Sequence, residues 1–283
     1  WSDVRPWTPG IAIGLAVSLM AIAPAPLLPA ARAFAALCQR YPVLALATQH
    51  APALLLALIL SLAGCAVVAG GWSGARGLLA TLRANREIRR GGGPVPDRVA
   101  AVARELAVAP RLTYLSDAEP MACCYGLLRP RIAISSGLAE RLHDEELTAV
   151  LGHEREHLRR RDPLRNLVAD AVTTAAFMFP VALALRLRWV AQSELAADRG
   201  ALALVSRGAL AGALLAVISS PQSTPGIAGL TSTEARIAQL TGESILPSIP
   251  VAAALASLAL IGVVALATLN LAAAADVTPQ GCP

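Results

Sequence analysis

The stretch Glu146-Leu147-Thr148-Ala149-Val150-Leu151-Gly152-His153-Glu154-Arg155-Glu156-His157-Leu158-Arg159-Arg160-Arg161-Asp162-Pro163 decides how this chain is read. A helix is expected from Asp144, which suits an N-cap, with Glu145 and Glu146 in the first turn. The arginines at 159–161 suit the negative end of its dipole, and Pro163 stops it. On that helix His153 and His157 lie one turn apart on the same face. Two imidazoles so placed can grip one zinc ion at about 2.0–2.1 Å. Glu154 follows the first histidine and is placed to act as general base on the water that the metal activates.

A catalytic zinc usually has three protein ligands and one open position. Downstream, Gln192-Ser193-Glu194-Leu195-Ala196-Ala197-Asp198 offers the missing parts. Glu194 is the candidate third ligand. Asp198, one turn on, is the candidate partner that orients a liganding histidine. The plainer reading of this pair is a solvated helix face beside Arg199. The HExxH upstream weighs against it, as does the fact that two of only four histidines form the motif. Residues 158–193 must bring Glu194 back to the histidines. The apolar stretch 167–185 is broken at Phe179-Pro180, and a helical hairpin turning near Pro180 does this. A single membrane crossing there would strand Glu194 on the wrong side. For the oxyanion the candidates are His143, Tyr125, Arg199 and Arg236, and the sequence does not choose among them.

Upstream of the motif, residues 91–97 form a turn-rich linker. Asp97 is a candidate N-cap for a helix over 98–107. Residues 111–115, 122–125 and 131–135 read as short strands of one small sheet.

The rest of the chain is apolar. Over half of the 283 residues are hydrophobic and only 15% are charged, against about a quarter in soluble domains. Spans of roughly 20 apolar residues are expected at about 9–31, 51–72 and 247–274. Arg76, Arg83, Arg86, Arg89 and Arg90 follow the second span, whereas only Arg32 and Arg40 lie between the first two. The positive-inside bias puts the segment after the second span in the cytoplasm. The expected organisation is a membrane region 1–75, a cytoplasmic metallopeptidase domain 76–245, and a final span with a short tail at 246–283. The net charge of +5 comes from arginines beside apolar segments, not among aromatics, so nucleic acid is not an expected partner. Cys38, Cys65, Cys123, Cys124 and Cys282 form neither a disulfide framework nor a zinc-finger spacing. Cys123 and Cys124 read as small buried side chains of a strand.

The stretch 146–164 resembles the core of the BlaR/MecR-type membrane metallopeptidases. Residues 126–138 resemble that family's strand before the zinc helix, Phe177-Met178-Phe179-Pro180 its hairpin turn, and Glu194 to Asp198 its third-ligand motif. The related HtpX-type peptidases share much of this. Residues 230–240 resemble their segment ending in Arg-Ile, without its histidine-proline part, and so give Arg236 no role. The resemblance implies a gluzincin-like α+β peptidase domain with bound Zn2+, about three transmembrane helices, and cleavage of protein or peptide substrate at the lipid bilayer. It further implies that substrate backbone pairs with an edge strand beside the zinc helix, assigned to Arg131, Ile132, Ala133, Ile134 and Ser135. The expected target is a cytoplasmic regulator such as a repressor. The short tail leaves no room for an antibiotic sensor. The alternatives are an HtpX-type quality-control peptidase and a zinc-binding scaffold without turnover. Oligomeric state is not legible.

Overall fold

The computed structural model describes residues 51–218, 227–243 and 246–276. The expected first span, 9–31, lies outside them. The described chain is mostly helical, with a small mixed sheet and two helices long and apolar enough to cross a membrane. Contacts divide it into two units. One holds Ala66–Ser257, with the sheet, the motif helix and the hairpin. The other holds the apolar parts of the two long helices, up to Cys65 and from Leu258 onward.

Helix α1, Ala51–Arg90, runs 40 residues without a break, past the end of the expected span at 72. No proline interrupts it, and it stops at the glycines 91–93. Leu58, Leu60, Val67, Val68 and Trp72 are exposed, which suits lipid better than water. The last long helix, α9, spans Val251–Asp276. It starts four residues later than the reading at 247, because Pro247 and Pro250 hold the chain extended ahead of it.

Between them comes the sheet. Its strands are β1 (Gly92–Gly93), β2 (Leu112–Leu115), β3 (Ala122–Tyr125) and β4 (Arg131–Ser135), in the order β1-β2-β4-β3. Helix α2, Asp97–Glu105, precedes β2, and its cap residue is Pro96 rather than Asp97. Asp97 serves instead as the acidic residue of the first turn. Strand β4 is parallel to β2, with Leu112 opposite Ile132 and Leu115 opposite Ser135. It is antiparallel to β3, with Ala122 opposite Ile134 and Tyr125 opposite Arg131. Its side chains alternate between two cores. Ile132 and Ile134 join Leu138, Leu147 and Leu151 in the main one, while Ala133 faces Leu115 and Tyr125.

The order corrects one expectation. Arg131 to Ser135 is not an edge strand, since both of its edges are taken by β2 and β3. The edge belongs to β3, which has no strand on its far side among the described residues.

A short helix α3, Ser136–Ala139, links β4 to the motif helix. Gly137 there lies so close to the loop before β3 that an added Cβ would sit 1.9 Å from the carbonyl oxygen of Ala118. Backbone cannot yield as a side chain can. Gly137→Ala is therefore expected to destabilise the protein by roughly 3 kcal/mol, the upper end of overpacking costs. A thermal melt in detergent checks this, and an unchanged midpoint contradicts it.

The motif helix α4 is Asp144–Arg160. Its cap is His143, one residue before the expected Asp144. The His143 amide donates to Glu146 at 2.8 Å in a capping box, and the acids of the first turn face the positive dipole end. Arg161 then takes the left-handed conformation (φ 55°, ψ 43°), and α5, Asp162–Ala175, sets off in a new direction. After the turn at 176–180, α6 returns as Val181–Leu202. This is the hairpin expected around Pro180. Its exposed side chains Val168, Val172, Phe177, Leu183 and Leu185 are apolar. It leans on α1 where Gly70 leaves space: a Cβ there would come within 2.8 Å of the Ala175 methyl. Helices α7 (Arg207–Ile218) and α8 (Ile227–Thr241) complete the unit, on α4 and α6 respectively.

Candidate metal centre

Helical spacing turns His153 and His157 to one side of α4, and the hairpin brings Glu194 of α6 opposite them. The three side chains form a small triangle of donors, with the two carboxylate oxygens of Glu194 sharing one corner. The two histidine Nε2 atoms are 3.0 Å apart, and Glu194 oxygens lie 3.4 Å from His153 Nε2 and 3.5 Å from His157 Nε2. Donors at about 2.0–2.1 Å from a tetrahedral ion stand about 3.3–3.4 Å from one another. The triangle has that size.

The far sides of the imidazoles explain why both Nε2 atoms face inward. His153 Nδ1 lies 2.8 Å from Asp198 Oδ1, and His157 Nδ1 lies 2.7 Å from Asp162 Oδ2. A carboxylate only accepts, so each Nδ1 carries its proton and each Nε2 is left to face the other donors. Two imidazole nitrogens 3.0 Å apart beside a carboxylate call for positive charge between them, a proton or a metal ion. The donor set therefore fits a divalent metal, and it is the only group of three or more His, Cys, Asp or Glu among the described residues with such spacing.

The electrostatics agree. Burial works to lower the His153 pKa, but hydrogen bonds donated to Asp198 and Glu194 outweigh it and raise it to about 9. His157 is raised in the same way by Asp162. Burial opposes ionisation of Glu194, yet His153, His157 and Arg236 together pull it down to about 2. The site is built to hold positive charge.

Of two further residues that hold the site together, Asp162 was not foreseen and Arg236 was foreseen only as an oxyanion candidate. Asp162 comes from the first turn of α5, aimed back at His157 by the left-handed Arg161, and its Oδ2 also accepts from Ser193 at 2.8 Å. A left-handed non-glycine residue costs roughly 1–2 kcal/mol. Its only signal in the sequence is an acid followed by proline directly after the arginine run. Arg236 of α8 grips Asp198 with two bonds, Nε to Oδ2 at 2.7 Å and a terminal nitrogen to Oδ1 at 2.8 Å. Its other nitrogen lies 3.5 Å from Glu194 Oε2. The resemblance gave Arg236 no role, yet it braces both Asp198 and Glu194.

Of the four oxyanion candidates, Arg236 alone reaches the donor set. His143 caps α4 ten residues before His153, about 15 Å along the axis. The Tyr125 hydroxyl is bonded to Thr113 Oγ1 at 2.7 Å. Arg199 opens into a separate pocket. Glu154 is buried at 8% exposure on the motif helix, which packs on β3. Its charge is felt there. Burial first, and Glu154 second, push the Cys123 thiol up to about 12 and the Cys124 thiol higher still. Both stay protonated and outside the donor set, as small half-buried side chains of the strand.

A family model described as BlaR1 peptidase M56 matches residues 79–238. Among curated proteins, a protease HtpX homolog of Methanopyrus kandleri is 45% identical over 47 residues, 17% of this chain and 15% of that protein. The protease HtpX homolog of Pediococcus pentosaceus is 34% identical over 82 residues, 28% of this chain and 27% of that protein. That of Thermoplasma acidophilum is 36% identical over 84 residues, 29% and 26% of the two chains. The chain thus spans about a quarter or less of the length of each of these relatives. No solved structure matches.

Proposed function

Because the chain belongs to the BlaR1 peptidase M56 family, we propose that it is a membrane zinc metalloendopeptidase cutting a protein substrate on the cytoplasmic side. The observation that carries this is the triangle of His153, His157 and Glu194 with edges of 3.0–3.5 Å and Glu154 on the next position of the same helix. Nitrogen and carboxylate donors in a triad favour zinc. The arginines that follow the apolar part of α1 support the cytoplasmic side for residues 76–245. The end regions 1–75 and 246–283 are then the membrane parts.

Bound zinc supplies Lewis acidity at the scissile carbonyl and acidifies water. Everything else is the work of the chain. His153, His157 and Glu194 would hold the metal. Asp198 and Asp162 hold the histidine tautomers and ring directions. Arg236 holds Asp198. Glu154 takes the proton of the attacking water and returns it to the leaving amine. The substrate backbone adds to the sheet at β3, the edge strand that packs on the motif helix, with main-chain hydrogen bonds as the common element of recognition. The regulator reading requires one or a few cytoplasmic targets. The alternative, an HtpX-type quality-control peptidase, requires many targets, and proteomics of wild-type cells against cells with an inactive variant separates the two.

Chain purified in detergent is expected to hold about one zinc. A chelator should abolish cleavage of casein or of the chain itself, and zinc should restore it. A chain that holds no metal sinks the proposal. One that holds zinc without cleaving supports a scaffold.

A further inference from the structure

Beside the metal centre, and separate from it, lies a pocket of about 400 Å³ that the peptidase reading does not use. One face of α6 lines it with Gln192, Leu195 and Arg199, while Arg160 comes from α4 and Gln239 from α8. Leu246, ahead of α9, closes the apolar side. We propose that this pocket binds the phosphate headgroup of an anionic phospholipid.

The first argument is the donor inventory. Two guanidiniums and two amides face one small space. Arg160 Nε and Gln239 Nε2 are buried and have no hydrogen-bond partner. Such orphaned donors are unfavourable until an acceptor arrives. The charge is only partly cancelled. Arg199 has no acidic partner among the described residues. Arg160 Nε lies 3.7 Å from Asp162 Oδ1, too far for a hydrogen bond, and the other oxygen of Asp162 serves His157 and Ser193. Glu243 is the single carboxylate in the lining, against two arginines. An acceptor-only, negatively charged group answers all of this, and phosphate is such a group.

The second argument is depth. Leu246 stands five residues before Val251, where the apolar helix α9 begins. Arg188 donates to the carbonyl of Pro247 at 3.2 Å, which ties α6 to the foot of α9. The exposed apolar side chains of the hairpin end on α6 at Leu185. Just beyond, Arg165 lies over the Trp189 ring at 4.9 Å, and tryptophan favours the membrane interface. Gln192 is three residues past Trp189, about 5 Å along the helix. The headgroup zone on each side of a bilayer is about 5–7 Å deep. Gln192 and Leu246 therefore stand at the level of the headgroups, and Arg199 lies about 10 Å further along α6 with its side chain tilted back toward the helix N-terminus, while Leu195 and Leu246 offer an apolar wall to the glycerol end. Basic pockets between membrane helices are a known form of headgroup site. The proposal rests on α9 being a span and not on the metal or on peptide cleavage.

The test uses the full chain, purified and stripped of lipid, titrated in mixed micelles with phosphatidylglycerol or phosphatidylcholine, with bound lipid read by native mass spectrometry. Saturable binding of phosphatidylglycerol is expected, weakened about fivefold in Arg199→Gln and again in Arg160→Gln. Arg199→Lys should restore most of it, and Arg104→Gln, on the distant α2, should change nothing. Arg199 is exposed, so its variants are expected to fold, and metal content per chain checks that they have. Equal binding of the two lipids, or binding that ignores Arg199, overturns the proposal. So does displacement by an equal concentration of inorganic phosphate or of an acidic peptide.

Discussion

Replacing Glu154 by glutamine is expected to slow peptide cleavage by about 10²–10⁴-fold, the usual contribution of a general acid–base, while the zinc content stays at the wild-type level. Glutamine keeps the shape of the side chain and loses only its basicity. The triangle of donors does not include Glu154, so metal binding should not notice the change. Zinc analysis and initial rates on the same preparation check both halves. Loss of rate with loss of metal would mean that Glu154 supports the site structurally. Unchanged rate would mean that another group moves the proton.

Glu194→Gln is expected to act the other way round, through the metal. Glu194 supplies the one negative charge among the three donors, and hydrogen bonding and nearby cations hold that charge down to about 2. An amide of the same shape leaves a divalent ion with two neutral imidazoles and leaves Arg236 facing it 3.5 Å from the former carboxylate position. Zinc affinity should fall by more than the 10–100-fold that loss of an outer partner costs. Asp198→Asn sets that scale, because Asp198 touches the ring of His153 and not the ligand triangle. Competition with a chromogenic chelator measures both. If Glu194→Gln binds zinc as tightly as Asp198→Asn, Glu194 is not a ligand. Excess zinc should bring back part of the cleavage in either variant.

Local spacing carried what could be read in advance. His153 and His157 are four apart on one helix, and a proline marks where the hairpin turns. Such features depend on a few neighbouring residues. Strand order does not. Nothing within Arg131 to Ser135 says that β2 will claim its second edge, because that partner comes from about 20 residues upstream and is set by how α2 and β2 pack, not by the strand itself. The αL turn at Arg161 explains the silence about Asp162. A helix reading simply ends there, and the direction of the next residue is decided by a backbone conformation that arginine seldom takes. Arg236 lies 38 residues beyond Asp198, and only the docking of α8 on α6 joins them. The cap of α4 fell one residue off, at His143, because histidine is a rare cap and three acids follow it.

The distances along the chain also set a timetable for synthesis. His153 emerges from the ribosome 41 residues before Glu194, and Arg236 is 83 residues behind His153. At about 5–20 residues per second, the histidines wait some seconds for their third partner and for the brace that holds it. Until then the nascent chain has a proton acceptor but no cage for the ion. For the proposed peptidase, this order of assembly keeps the metal centre incomplete while the chain is being made.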